Sequence, residues 1–205
     1  MTGANASMPA TDAACTRAEA QRQRILEAAR RCFIERGFHA ASMANIAEAA
    51  QMSAGLMYRY FENKQAIVLA IVERQLDETR AVLEQLHSVQ QFTAGIMEAF
   101  ERWRAGAQPM SPALYLEINA EATRNPQIAA ALRRSGAVTR AGLQAWLERP
   151  RSEGGYGMPS DQAATQALLL RSLVEGLALH AAREPDLDLA KLKAALDDLF
   201  KDFPG

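Results

Sequence analysis

SMANIAEAAQMSAGLMYRYFENK, Ser42 to Lys64, reads as two short helices joined by a tight turn and followed at once by the start of a third. Met43, Ile46, Ala47 and Ala50 recur at the helical period, so the first short helix can bury one side. Ser42 stands where a serine accepts from the free N–H groups of a helix start, and Ser53 is a second such cap, opening a helix through Phe61. At about 100° per residue, Ser53, Met57, Tyr60 and Phe61 gather on one side of that second helix. Gly55, Tyr58 and Arg59 point the other way, with Leu56 on their flank. Tyr60 and Phe61 are therefore expected in the core.

A short helix that only meets water has a charged outer face. This one offers glycine, leucine, tyrosine and arginine. Small and apolar groups let a helix approach base edges and thymine methyls, arginine pairs with guanine through two parallel bonds, and a tyrosine hydroxyl bonds phosphate. A helix-turn-helix presents its second helix to the major groove in this way. Alone, Tyr58 and Arg59 would be ordinary surface residues. Their place in the pattern is what points to DNA.

The segment resembles the DNA-binding domain of the tetracycline-repressor (TetR) family of bacterial regulators. The resemblance is carried by Gly37-Phe38, Ser42, Ile46-Ala47, Ala50, Ser53, Gly55, Met57-Tyr58, Tyr60-Phe61 and Lys64, about a quarter of the chain. It implies that Ser42, Tyr58 and Lys64 contact phosphates, that Gly55, Leu56 and Arg59 face bases, and that Ser53 belongs to the same DNA-facing set. Gln51 departs from the pattern, which has glycine in the turn. A residue with a Cβ is disfavoured at positive φ by roughly 1 kcal/mol, so strain is expected there.

Outward from this segment, the 205 residues are 49% hydrophobic with a net charge of −1, enough for one or two modest domains and not the balance of a general nucleic-acid binder. From Cys15 to Lys64, however, eight basic side chains meet five acidic ones, so the positive charge is local. Cys15 and Cys32 form no disulfide framework and no Cys-x-x-Cys pair; a reduced cytoplasm is expected, with redox sensing by Cys15 the less common alternative. Residues 1–14 read as a flexible tail with no leader pattern, and no apolar run is long enough to span a membrane. The first helix is expected from near Thr16 to Gly37, burying Ile25, Ala29, Cys32 and Phe33. Residues 15–62 are thus the helix-turn-helix domain.

Residues 63–205 are expected to form a helical effector-binding and dimerisation domain, and the fold class is all-α. A long helix after Asn63 reaches about His87, with Ile67, Ile71, Val82 and Leu86 on one side. Helices follow over 92–104, 111–124 and 127–147, with breaks at Gln108-Pro109 and Asn125-Pro126. The segment 149–159, with Pro150, Gly154, Gly155, Gly157 and Pro159, reads as a flexible connection. The last two helices, about 160–183 and 187–203, carry apolar residues on more than one side, as a helix shared between its own core and a second copy would. Leu169, Leu173, Leu177, Leu192, Leu196 and Leu199 are the expected dimer contacts, and the resemblance implies the same homodimer through a four-helix bundle.

By the same resemblance a ligand chamber lies between reader and dimer seam. Its candidate lining is Met97, Phe100, Trp103, Met110, Tyr115, Asn119, Trp146 and His180, with Glu117 and Glu121 one turn apart and suited to a cationic effector. Each of these residues taken singly is more often ordinary core or surface. No cofactor, metal site or catalytic residue is expected: His39, His87 and His180 lie far apart, and neither His-Glu-x-x-His nor Gly-x-Ser-x-Gly occurs. The chain therefore reads as a sequence-specific regulator of a near-palindromic operator, released by a small molecule. The alternative is a helical interaction module that has lost DNA binding.

Overall fold

The computed structural model describes residues 10–105, 110–184 and 186–201, with side chains from residue 17 onward. Within them the regular structure is helical throughout: nine α-helices and one turn of 3-10 helix at Arg151–Glu153. None of these helices is long and apolar enough to cross a membrane. The chain divides into two compact units, Met1–Ile67 and Val68–Gly205, so the boundary falls in the first turn of the fourth helix, five residues beyond the expected one.

In the first unit, α1 runs Ala10–Ala40 and contains a break at Gly37, whose φ of 76° and ψ of 160° leave the helix. The expected stop is thus the glycine, while the start lies six residues earlier than Thr16; residues 10–14, expected in a flexible tail, are helical, and residues 1–9 lie outside the described residues. Ile25, Ala29, Cys32 and Phe33 are buried as their spacing requires, joined by Leu26 and Ala28. This face meets α2 (Met43–Ala49), which in turn meets α3 (Ala54–Tyr60). Ile46, Ala47, Ala50, Met57 and Phe61 complete the buried set. Tyr60, expected in the core, is only half-buried.

In the second unit, α4 (Lys64–Glu84) continues from its cap at Asn63, whose Oδ1 accepts from the amide of Ala66 at 2.8 Å. Val68, Ile71, Val72 and Leu76 form its buried stripe; Val82, expected on that side, is 61% exposed. Helices α5 (Val89–Arg104), α6 (Pro112–Ala122) and α7 (Pro126–Glu148) begin at Ser88, Ser111 and Asn125, each accepting backbone N–H bonds with its side chain. Pro112 and Pro126 take the first helical position, where a missing N–H costs nothing. Two further helices, α8 (Ser160–Arg183) and α9 (Leu189–Lys201), close the unit. The core runs through Phe92, Ile96, Phe100, Trp146, Leu170, Leu177, Leu192, Leu196 and Phe200. The expected break at Gln108-Pro109 and the end of the last stripe at Phe203 lie outside the described residues.

Candidate nucleic-acid interface

The presentation of α3 begins with two caps. Ser42 Oγ accepts from the Asn45 amide at 3.1 Å, while Asn45 Oδ1 accepts from the Ser42 amide at 3.0 Å and from its hydroxyl at 2.7 Å, a reciprocal box that fixes the start of α2. Ser53 Oγ accepts from the Leu56 amide at 3.2 Å and fixes the start of α3. Between them Gln51 has φ 52°, alone among the described non-glycine residues in the left-handed region. Its amide donates to Glu48 O at 2.9 Å and the Met52 amide to Ala47 O at 3.0 Å. This is the Schellman closure, made by a residue with a Cβ where glycine is usual. The strain expected from the sequence is present, and the turn closes regardless.

Met57 is wholly buried and Phe61 nearly so, with the Arg22 guanidinium 4.5 Å above the Phe61 ring. These anchors hold α3 by one side and leave Gly55, Tyr58 and Arg59 exposed and Leu56 half-buried. Tyr58 is 55% exposed, large for an aromatic ring that a protein has no wish to hydrate. Gly55 is in helical conformation, and a Cβ built there meets nothing within 4 Å. The fold does not demand this glycine, although one in a helix interior costs about 1 kcal/mol against alanine.

Lys64 has partners within the first unit. Its ammonium donates to Phe38 O at 2.7 Å and His39 O at 3.1 Å and lies 4.7 Å from the centre of the Phe38 ring. It closes the carboxyl end of α1, where the helix dipole favours a cation. Cys32 is buried, and burial pushes its thiol above the ordinary range despite the opposing Arg36. The Cys15 side chain lies outside the described set.

The candidate ligand residues scatter. Phe100 and Trp146 are fully buried in the core, and the Trp146 indole N–H donates to Gly154 O at 3.2 Å. His180 is exposed on α8, its Nδ1 3.1 Å from Glu184 Oε1. Met97 and Trp103 pack against the core, Met110 and Glu117 are half-buried, and Glu121 is buried. Tyr115 and Asn119 sit one turn apart on α6, half-buried. The Tyr115 hydroxyl is raised above its ordinary pKa by burial and next by the Glu175 carboxylate, with Arg171 opposing. Arg171 pairs with Glu175 at 2.6 Å, and its guanidinium lies where a Cβ on Gly136 of α7 would have to go. Polar side chains of α6 and α8 thus gather around two residues, Arg171 and Glu175, that are absent from the sequence-based candidates. Their signal is a charged pair four apart inside an otherwise apolar run.

The expected dimer residues divide by burial. Leu169 and Leu199 are 57% and 58% exposed, joined by Leu168 at 48%. Leu177, Leu192 and Leu196 are instead buried in the chain's own core, against which Leu173 also packs.

Two family models match the chain. Residues 25–71 match "Bacterial regulatory proteins, tetR family", and residues 96–203 match "BetI-type transcriptional repressor, C-terminal". The HTH-type transcriptional regulator UidR of Escherichia coli (strain K12) is 35% identical over 184 residues, 86% of this chain and 87% of that protein. The HTH-type transcriptional repressor AcnR of Corynebacterium glutamicum is 32% identical over 82 residues, 40% of this chain and 43% of that one. Among solved structures, Salmonella enterica GusR superposes with a TM-score of 0.71 at 29% identity, covering 89% of this chain and 96% of that one. The SmeT–triclosan complex gives a TM-score of 0.72 at 24% identity, covering 89% and 91%, a likeness of fold.

Proposed function

The chain belongs to the tetR family of bacterial regulatory proteins, DNA-binding transcriptional regulators and not enzymes, and from that premise we propose that it is a cytoplasmic, homodimeric repressor released from a near-palindromic operator by a small molecule. The observation that carries this reading is the outer side of α3. Gly55, Tyr58 and Arg59 are exposed together on a helix held rigidly from behind by Met57, and nothing in the fold calls for the glycine. A helix that can enter a groove closely, touch a phosphate with a phenol and a base with a guanidinium is suited to duplex DNA. Seven residues are too few to hold a specific site alone. Two copies about 34 Å apart meet successive major grooves, which gives the operator its two-fold symmetry.

The effector binds in the second unit, where Tyr115, Asn119, Arg171 and Glu175 offer donors and acceptors on otherwise apolar helices. Release requires that the effector bind a second arrangement of the dimer better than the operator-bound one. A coupling of about 1–3 kcal/mol suffices. The match of residues 96–203 to a repressor-type domain supports repression as the sense of control. The turn at Gln51 keeps both of its closing backbone bonds despite the left-handed φ, which supports a working reader over a helical module that has lost DNA binding.

The test is binding of the purified full chain to DNA upstream of its own or a neighbouring gene across a salt series. Tyr58→Phe is expected to weaken all sequences about equally, and Arg59→Ala to relax preference at particular base pairs by about 1–3 kcal/mol each. Absence of binding at every salt concentration counts against the proposal, as does an affinity without salt dependence.

A further inference from the structure

The positive charge of α1 invites the assumption that its arginines serve DNA phosphates. Two of them bond instead to the end of α2. Arg24 Nη2 donates to Gln51 Oε1 at 3.2 Å and to Gln51 O at 3.3 Å. Arg31, seven residues and two turns along the same face of α1, donates through Nη2 to Ala49 O at 3.4 Å. Both cations therefore grip the carboxyl end of α2, where carbonyls lack helical partners and the dipole is negative. The residue gripped by both of Arg24's bonds is the one in the left-handed region, φ 52°. Left to itself, a residue with a Cβ leaves that region readily. Two residues further on stands Ser53, the cap from which α3 departs. A turn that relaxes at Gln51 re-aims α3 as a whole.

We propose that Arg24 is a positioning residue for operator recognition: by holding both the side chain and the carbonyl of Gln51, it keeps the turn left-handed and α3 aimed at the groove, and does not act as a phosphate ligand. The proposal rests on the DNA-binding reading above. It also makes the Gln51 side chain the counterpart of its own strained backbone, since the amide that a glycine would lack is what Arg24 holds.

The experiment is a double-mutant cycle on the full-length protein, with duplexes enriched from a random-sequence pool by the wild-type chain as the probe. Arg24→Ala is expected to weaken binding about tenfold with the salt slope unchanged. In the double variant Arg24→Ala/Gln51→Gly, glycine holds the turn without a brace, and affinity returns to within about twofold of wild type. A loss that glycine does not rescue, with a salt slope smaller by about 0.9, makes Arg24 a phosphate ligand and overturns the proposal. No loss on Arg24→Ala overturns it equally. Hydrogen exchange tests the brace without DNA: the amides of residues 53–57 should exchange faster in Arg24→Ala and regain protection in the double variant, and unchanged exchange in Arg24→Ala sinks the brace. A selection that enriches no duplex defeats the operator reading, and the exchange measurement then decides the brace alone.

Discussion

Gly55 is a glycine that the packing of α3 does not require. A methyl group there enters open space, and alanine is the better helix former. Gly55→Ala should therefore raise stability by up to about 1 kcal/mol in thermal denaturation while weakening DNA binding in the same preparation. Loss of stability, or unchanged binding, would show that the glycine answers to the chain itself. Cys32 is an opposite case, closed to solvent and with its thiol pushed up by burial. In the native protein it should resist alkylation by iodoacetamide at neutral pH and react after denaturation, as followed by mass spectrometry. Residues like these are legible in the sequence because local periodicity decides which side of a short helix is inward. Lys64 is not, because its partners, the carbonyls of Phe38 and His39, come from a helix end about 25 positions earlier that spacing alone does not bring near.

Helix starts are equally legible, since a cap and its helix adjoin in sequence: Ser42 and Ser53 act as expected. The segment 149–159 departs from expectation. Its glycines suggest a flexible connection, yet the structure makes them a clasp on the turn between α4 and α5. Arg149 Nη1 donates to Leu86 O at 3.0 Å and lies 3.3 Å from His87 Nδ1. A Cβ on Gly154, φ 81°, would come within 2.9 Å of the His87 Cβ and 3.0 Å of its carbonyl oxygen, and one on Gly155 would run into Arg149 O. Gly157, φ 62°, faces open space. Composition marks glycine where backbone freedom is needed but cannot tell a loose chain from one pressed against a neighbour some sixty residues away. The three glycines should therefore differ. Gly157→Ala costs only the conformational term, about 1 kcal/mol, whereas Gly154→Ala adds the crowding and costs about 2–4 kcal/mol. Urea unfolding of the two variants should rank them in that order. Equal and small losses would return the segment to a flexible connection.

At the scale of the whole molecule, the last two helices are two-sided as their composition suggests, but the phase differs from the expected one. Leu169, Leu173 and Leu177 are four apart, and each step of four turns the helix by about 40° beyond a full circle. The row accordingly begins 57% exposed at Leu169, is half-buried at Leu173 and ends 7% exposed at Leu177. Leu168 belongs outward instead. Burial thus sorts the leucines into two classes with opposite consequences. Leu168, Leu169 and Leu199 leave apolar surface in water that a second copy would cover. A carboxylate at Leu169 or Leu199 stays solvated in the monomer and is desolvated only in a dimer. Leu169→Glu combined with Leu199→Glu should then leave a folded chain of near-native thermal stability that sediments as a monomer. Leu196→Glu places the same charge in the core beside Phe200 and Leu192 and should unfold the chain at any concentration. The separation matters for DNA, because a folded monomer keeps α3 and all its exposed groups yet offers one reader to a two-fold site. Its specific affinity should fall by orders of magnitude while weak, salt-sensitive association with any duplex survives. Retention of tight operator binding by a proven monomer would mean that one α3 suffices, and the two-fold arrangement would have to be given up.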